Sequence, residues 1–147
     1  MKNITQNKKA RHEYAVLETM EAGIALTGTE VKSCRAGAMS LNEAYAKVEN
    51  GEILLLGASI SPYEQGNRFN HNPRRDRRLL MHKREIGRLK KSTEAKGLTV
   101  IPLSAYFNDK GKVKIQLGLC RGKQAHDKRE DIKKRMDGRE MARAMKR

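Results

Sequence analysis

The sequence contains no tryptophan, and its two phenylalanines and four tyrosines make up only 4% of the 147 residues. Leucine, isoleucine and valine must therefore fill the core, and a hydrophobic content of 37% suffices for one modest domain with an appendage. All apolar runs are much shorter than the ~20 residues that a membrane-spanning helix requires. The first residues, MKNITQNKKARHEY, lack the apolar stretch of a secretory signal. We therefore expect a cytoplasmic protein.

Motifs that carry catalysis or bind metals are also missing. Cys34 and Cys120 are far apart, with no Cys-X-X-Cys spacing, which predicts two reduced thiols. The sequence has no phosphate-binding glycine loop and no metal-ligand spacing of the HxH or HExxH kind. We predict no enzyme activity, no metal and no cofactor, and we interpret the four histidines as surface or RNA-contacting residues: His12, His71, His82 and His126.

Acidic residues are too few to balance the basic ones. The 32 Lys and Arg residues outnumber the 17 Asp and Glu residues, and the net charge is +15. Residues 1–67 carry a net charge of −1, whereas residues 68–91 hold ten basic and two acidic residues. Such a charge indicates a polyanionic partner, nucleic acid first and an anionic membrane second. RNA is favoured over DNA because no helix-turn-helix, zinc-finger or heptad pattern is present.

The last twenty-seven residues, 121–147, form a segment of their own. They hold eleven basic and five acidic residues and no aromatic residue. Their apolar residues are widely spaced, with Ile132–Met136 and Met141–Met145 as pairs four residues apart. Such a segment buries too little apolar surface to fold alone. We therefore expect a basic C-terminal tail that is disordered when free and helical only against a partner.

Residues 1–120 contain the patterns of a compact domain. Thr27 and Glu30 form a capping box that predicts a helix ending near Gly37. Asn50-Gly51 between two apolar runs predicts a hairpin with a type I′ turn. Strand patterns extend over residues 12–20, 98–107 and 113–119, a second short apolar run covers residues 23–26, and Pro102 indicates an edge or a bulge.

Composition and residue spacing indicate the remaining segments of this domain. We expect a flexible basic N-terminus over residues 1–10, a loop over residues 61–73 and one helix over residues 74–96. The sum is about six strands joined by hairpins and two helices. It predicts a mainly β fold with flanking helices, a small antiparallel barrel of the OB-like kind.

Five segments in this order resemble one protein family over essentially the whole chain: NKKARHEY, EAGI-L-GTEVKSCRAG, RRLLMHKREI, KVKI and RGKQAHDKREDIKKR. Together they are similar to the SsrA-binding protein (SmpB) family of bacteria. This resemblance implies an OB-like barrel and an RNA-binding adapter without enzyme activity. The implied partners are the tRNA-like domain of transfer-messenger RNA (tmRNA) and stalled ribosomes, whose rescue is called trans-translation. A monomer on tmRNA is expected, with the protein in place of the anticodon arm.

The resemblance also implies roles for individual residues. The tail would lie in the empty decoding centre and mRNA channel, with His126 stacking on a base. Some family members have Asn where His82 stands, and their tails often have Ile-Met where this chain has Ala144-Met145. The implied tmRNA contacts are Asn7, Lys8, Arg11, His12, Glu21, Leu80, His82 and Lys112. The implied ribosome contacts are Gly122, Lys123, His126, Asp127, Lys128, Arg129, Lys133, Lys134, Arg135 and Met145.

Other functions fit parts of the same pattern. A basic ribosomal protein with a tail is the main alternative, and it would copurify stoichiometrically with all ribosomes. A nuclease using His12 or His126 would cut RNA during incubation. Binding to a membrane surface would need a wide apolar face that the tail lacks.

Overall fold

The structure, a computed structural model, describes residues 2–64 and 70–122. These residues form nine strands and three helices. The strands are β1 (Lys2–Gln6), β2 (Tyr14–Ile24), β3 (Met39–Ser40), β4 (Tyr45–Glu49), β5 (Glu52–Leu56), β6 (Ser59–Ile60), β7 (Arg77–Leu80), β8 (Thr99–Phe107) and β9 (Val113–Gly122). The helices are α1 (Lys8–Glu13), α2 (Gly28–Arg35) and α3 (Lys83–Lys96).

Six of the strands close into an antiparallel barrel. Their order is β8-β4-β5-β7-β2-β9, and pairing between β8 and β9 closes the ring. Strand β1 adds to β8 on the outside of the ring, and β3 pairs with β6 in a separate two-stranded sheet. The predicted mainly β fold with a small barrel and flanking helices is therefore confirmed. Of the predicted C-terminal tail, the structure describes Arg121 and Gly122, which are not disordered but end β9, paired with Ala15 and Tyr14. The rest of the tail lies outside the described residues.

The barrel encloses one hydrophobic core. Alternate residues of the strands point inward, as Ile53 and Leu55 of β5 and Ile115 and Leu117 of β9 show, since all four are fully buried. Helix α3 adds its buried Ile86 and Leu89 to the same core. This helix leaves its charged residues on the outside, so its basic face remains available to a partner.

Two local predictions rest on turn and cap chemistry, and the structure confirms both. Thr27 caps α2, with its side-chain oxygen accepting from the Glu30 N–H, while the Glu30 carboxylate accepts from the Thr27 N–H at 2.9 Å. Asn50 and Gly51 both have positive φ, 53° and 78°, as a type I′ turn requires. The bulge expected near Pro102 also appears, because the pairing of β8 with β9 shifts between Pro102 and Ser104.

The expected flexible N-terminus is wrong for the described residues. Residues 2–6 form β1, which pairs with the second half of β8, and residues 8–13 form α1. The signal that composition missed is Asn7, whose backbone N–H donates to the Leu103 carbonyl at 2.8 Å. This bond and the β1 ladder fix a polar segment that has few apolar residues of its own.

The single helix expected over residues 74–96 is also wrong in its first part. Residues 77–80 are β7, which lies between β5 and β2, and α3 begins only at Lys83 with His82 as its N-cap. Gly97 ends the helix with φ 65°, as predicted. The four strand residues alternate inward and outward, but an arginine, Arg77, occupies an inward position.

Arg77 is accommodated by a buried ionic group, here called the Glu30 cluster, which consists of Glu30, Arg75 and Arg77. Arg77 and Glu30 are fully buried and lie 2.8 Å apart, and Arg75 donates to the same carboxylate at 2.6 Å. The Arg77 guanidinium also donates to three backbone carbonyls: those of Ala58, Pro73 and Arg75. The cluster therefore joins α2 to β7 and to the segment that precedes it.

Candidate RNA-binding surface

Asn7 lies inside the protein rather than on a binding surface. Its side chain is 1% exposed, and its amide donates to the carbonyls of Leu41 at 2.9 Å and Pro102 at 3.0 Å. Its side-chain oxygen accepts from the Ala10 N–H and so caps α1. All these contacts are within the protein, so the expectation that Asn7 touches RNA is corrected to a structural role.

The other residues predicted on α1 face outward. Lys8, Arg11 and His12, here called the α1 group, are exposed and lie three and four positions apart on one face of the helix. The neighbouring Lys9 instead pairs with Glu43 at 2.8 Å. Tyr14, which directly follows this helix, pairs with Gly122 at the end of β9. The α1 group therefore lies close to the point where the chain continues into residues 123–147.

A second group of predicted residues lies where β2, β7 and β9 run side by side. Leu80 is 47% exposed, and it is paired with Gly23, which in turn is paired with Lys114. A Cβ atom on Gly23 would lie only 3.3 Å from the Leu80 Cβ and 3.6 Å from the Lys114 Nζ. A glycine here lets an apolar side chain and a lysine approach each other on the outer surface.

Lys112 extends this surface beyond the end of β9. It follows a turn in which the Asn108 side-chain oxygen accepts from the N–H groups of Lys110 and Lys112, both at 2.9 Å. Gly23, Leu80, Lys112 and Lys114 line one cleft of about 290 Å³. Such a cleft offers an apolar wall together with cations, which suits an unstacked base next to its phosphate.

Glu21 lies on the same surface, two residues before Gly23 on β2. It is exposed, and its carboxylate accepts a hydrogen bond from the Tyr106 hydroxyl of β8. Partial burial, followed by the bond to Glu21 and its negative charge, raises the pKa of Tyr106 to about 12. The phenol therefore stays a neutral donor, and the carboxylate keeps further lone pairs for a ligand. We call Glu21, Gly23, Leu80, Tyr106, Lys112 and Lys114 the Glu21–Leu80 face.

His82 follows this face along the chain. Its side chain is exposed at the N-terminal end of α3, and its backbone N–H donates to the Glu85 carboxylate at 3.3 Å. His82, Lys83 and Arg84 line a neighbouring concave area. Two of these three residues are basic and solvent-exposed, so the area can continue a phosphate-binding surface from the Glu21–Leu80 face.

The predicted tmRNA contacts thus form two groups rather than one. Glu21, Leu80 and Lys112 come together, with His82 nearby, whereas the α1 group lies at the other end of β2. Nine residues separate Tyr14 from Gly23 along this strand, which corresponds to roughly 30 Å at about 3.3 Å per residue. A ligand that touches both groups must therefore be large, as a folded RNA is.

The charges of this surface are largely uncompensated. Exposed ion pairs within the described residues join Lys9 to Glu43, Arg78 to Glu52 and Arg88 to Glu18. No ion pair is found there for the α1 group or for Lys112 and Lys114. Cations without carboxylate partners can neutralise RNA phosphates without first breaking an ion pair within the protein.

Sequence reasoning missed three members of the Glu21–Leu80 face, namely Gly23, Tyr106 and Lys114. A signal existed for Lys114, because it alternates with the buried Val113 and Ile115. Tyr106 shows the same alternation next to the buried Phe107. No pattern along the chain could have indicated that Tyr106 reaches Glu21, which is 85 positions earlier.

Of the predicted ribosome contacts, the structure describes only Gly122, which is exposed at the end of β9. The others lie outside the described residues: Lys123, His126, Asp127, Lys128, Arg129, Lys133, Lys134, Arg135 and Met145.

The cysteines and His71, which could in principle carry chemistry, are held in contacts within the protein. Cys34 and Cys120 are both buried and not disulfide-bonded, and burial raises the pKa of each thiol to about 11. His71 bridges the Thr29 hydroxyl and the Ile60 carbonyl, both at 2.9 Å. Within residues 2–64 and 70–122, no group of three or more His, Cys, Asp or Glu side chains could hold a metal ion.

None of the helices in the described part of the chain is long and apolar enough to cross a membrane.

Comparison with known families and structures gives matches over nearly the full length. The family model described as "SmpB protein" matches residues 4–147. A curated "SsrA-binding protein" from Desulforamulus reducens is 62% identical over 145 residues, which cover 99% of this chain and 90% of that protein. Another from Symbiobacterium thermophilum is 59% identical and covers 97% and 90%.

A solved structure is similar as well. It is described as "tmRNA-SmpB: a journey to the center of the bacterial ribosome", and one of its chains superposes with a TM-score of 0.72. The sequence identity is 53%, and the match covers 88% of this chain and 92% of that one.

Proposed function

Since this chain belongs to the SmpB family, we propose that it is the RNA-binding adapter of trans-translation, which binds the tRNA-like domain of tmRNA and delivers it to stalled ribosomes. The observation that carries the proposal is the likeness over nearly the whole chain to SsrA-binding proteins and to a chain solved with tmRNA on the ribosome. The partners are thus tmRNA and the ribosome, and the adapter acts in the cytoplasm as a monomer on tmRNA.

The Glu21–Leu80 face and His82 are the proposed reader of the tRNA-like domain. Its lysines neutralise phosphates, Leu80 supplies an apolar wall, and Glu21 accepts hydrogen bonds from the RNA. The α1 group adds cations about 30 Å away along β2. This division supports recognition of one large folded RNA by its shape, with the two groups touching different parts of it.

The tail is proposed as the part that reaches the ribosome. Residues 121–147 carry a net charge of +6, and the chain passes into them at Gly122, beside the α1 group. Because β9 ends at Gly122, a helix could extend over the 25 residues 123–147 and would be ~38 Å long, which suits a segment that runs from the decoding centre into the mRNA channel. The ribosome contacts proposed for it are Gly122, Lys123, His126, Asp127, Lys128, Arg129, Lys133, Lys134, Arg135 and Met145.

The protein is proposed to act by binding alone. The barrel holds the tRNA-like domain while the tail tests whether the decoding centre and the channel are empty, so that the complex imitates a tRNA without an anticodon arm of its own. In this role the chain needs affinity for two RNAs and no group that makes or breaks a bond.

The test is a gel-shift titration of three RNAs across salt: the tRNA-like fragment of tmRNA, an ordinary tRNA and a plain duplex. Full-length protein is compared with a variant that ends at Gly122, since β9 is paired up to that residue. Nonspecific binding through about six phosphates loses ~10³ in affinity between about 50 and 200 mM salt.

We expect the tRNA-like fragment alone to stay bound at high salt, with little effect of the truncation. Equal binding of all three RNAs, lost on truncation, would contradict the adapter function. Stoichiometric copurification with every ribosome would instead indicate a basic ribosomal protein.

A further inference from the structure

Tyr106 lies on the outside of the barrel and donates a hydrogen bond to a residue on a strand that is not its neighbour. It belongs to β8 and Glu21 to β2, and β9 lies between these two strands. The tyrosine is paired with Lys114, whereas Glu21 is paired with Gln116, so the phenol must lie diagonally across β9 to reach the carboxylate. A side chain stretched over a strand in this way fixes the orientation of its acceptor.

The carboxylate that it fixes has no cationic partner in the part of the chain that the structure describes. Within the described residues, the Tyr106 hydroxyl is the one hydrogen-bond donor to the Glu21 side chain, and Glu21 forms no ion pair. Lys114, although on the same face, lies next to Gly23. Glu21 is therefore an oriented acceptor with unused lone pairs in otherwise basic surroundings.

The chemistry of such an acceptor is selective. Phosphate oxygens are repelled by a carboxylate, whereas an exocyclic amino group of a base or a ribose 2′-hydroxyl can donate to it. Its cationic neighbours attract any polyanion, so the carboxylate is the part of the face that discriminates among polyanions. A freely rotating carboxylate would discriminate less, because its orientation would have to be fixed upon binding.

From this geometry we propose that Tyr106 is a positioning residue for RNA recognition: its hydroxyl orients Glu21 to accept a hydrogen bond from an RNA donor, an exocyclic amino group or a 2′-hydroxyl. This inference deepens the proposed function and rests on it. It assigns to Tyr106 a role that acts through Glu21 and does not require contact between the phenol and the RNA.

The experiment measures the affinity of full-length variants for the tRNA-like fragment of tmRNA. Tyr106→Phe removes the hydroxyl, Glu21→Ala removes the acceptor, and the double variant tests whether they act together. Tyr45→Phe is the matched control, because Tyr45 is an exposed strand tyrosine on β4 with no hydrogen bond from its hydroxyl within the described residues. Affinity for a plain duplex and the unfolding midpoint are measured for each variant.

We expect Tyr106→Phe to weaken binding of the fragment about 5- to 10-fold, within the range of one ordinary hydrogen bond. Duplex affinity and the unfolding midpoint should stay unchanged, as should all properties of Tyr45→Phe. In the Glu21→Ala background, Tyr106→Phe should have no further effect. Fully additive losses, or an unchanged fragment affinity for Tyr106→Phe, would overturn the positioning role.

The donor on the RNA is identified by analogue interference in the same fragment. Inosine in place of guanosine removes an exocyclic amino group, and 2′-deoxy substitution removes a hydroxyl. At one position, one of the two should weaken wild-type binding and leave Glu21→Ala binding unaffected; no such position would overturn the proposal. If wild-type protein fails to prefer the fragment over ordinary tRNA, the proposed function fails together with this inference. If that preference holds and Tyr106→Phe binds normally, only the inference fails.

Discussion

The Glu30 cluster and the Glu21–Leu80 face both contain a glutamate close to basic residues, and they differ in what surrounds it. Glu30 is fully buried and receives hydrogen bonds from two arginines and a backbone N–H. Glu21 is exposed and receives one hydrogen bond from a tyrosine, while the lysines near it have no carboxylate partner within the described residues.

This difference assigns two roles to the charges of one small protein. In the cluster every charge is compensated by another group of the same chain, so its function is to hold α2, β7 and the preceding segment together. On the face, the described residues offer the lysines no carboxylate partner and leave Glu21 with unused lone pairs, which suits partners in another molecule. Substitutions that affect stability in one region and affinity in the other test this assignment.

The largest effect is expected from Arg77→Met. This change leaves Glu30 buried with one arginine fewer, and breaking a buried pair costs about 3–5 kcal/mol. Arg88→Met is the control, because Arg88 pairs with Glu18 at 2.7 Å on the surface, where such pairs contribute about 0–1 kcal/mol. Urea unfolding of both variants measures the difference. Equal losses of the free energy of unfolding in both variants would contradict the claim that the buried pair contributes more to stability than the exposed pair.

The cluster should also make stability depend on pH. Burial by itself would raise the pKa of Glu30, but hydrogen bonds from Arg75 and Thr27 and the charge of Arg77 hold it below its ordinary value. A lowered pKa in the folded state stabilises the protein at neutral pH, and this contribution is lost as the pH falls through the acidic range below the ordinary value. Wild type should therefore lose more stability than Glu30→Gln between about pH 7 and about pH 3. Parallel losses for both proteins would contradict this account.

A smaller loss of stability is expected from Asn7→Ala. It removes a helix cap and leaves the buried carbonyls of Leu41 and Pro102 without a donor, at a cost of about 2–3 kcal/mol. Exposed Asn3 of β1 provides the control, since Asn3→Ala should change stability very little. Affinity of folded Asn7→Ala for the tRNA-like fragment should equal that of wild type. A stable variant with weakened affinity would restore Asn7 as an RNA contact.

The smallest change in stability is expected on the Glu21–Leu80 face, where affinity should change instead. Replacing Lys112 and Lys114 by Gln should leave urea unfolding unchanged. The slope of the logarithm of affinity against the logarithm of salt should fall by about 1 for each phosphate contact that is lost. The Lys47→Gln, Lys90→Gln double variant removes two exposed cations elsewhere on the domain and should keep the wild-type slope. Identical slopes for both double variants would show that the lysines of the Glu21–Leu80 face contact RNA phosphates no more than other exposed lysines of the domain.

The sequence predicted those parts of the fold that depend on local chemistry. The capping box of Thr27 and Glu30 and the two positive φ angles at Asn50 and Gly51 are determined within four residues, and both predictions are confirmed. Alternation of apolar residues likewise indicated β9.

The errors have one physical cause, which is polar groups whose partners are distant in sequence. From the sequence, Arg77 is expected on the surface of a helix. In the fold, Glu30 and three backbone carbonyls accept hydrogen bonds from its guanidinium, so the arginine can occupy an inward position of strand β7. Asn7 was expected to touch RNA because the family resemblance implied it, and its buried role could not be seen in the sequence, since its partners Leu41 and Pro102 lie 34 and 95 positions away. Residues that touch no distant polar partner, such as Leu80 and Lys112, were placed on the surface as expected.

The most direct test of which surface binds RNA is hydroxyl-radical footprinting of the protein, read by mass spectrometry, with and without the tRNA-like fragment. Two large side chains serve as probes with nearly equal exposure: Tyr45 at 44% and Leu80 at 47%. We predict that the fragment protects Leu80 strongly and leaves Tyr45 as reactive as in the free protein. Protection of Tyr45 with unchanged reactivity of Leu80 would contradict the assignment of the Glu21–Leu80 face as the RNA-binding surface.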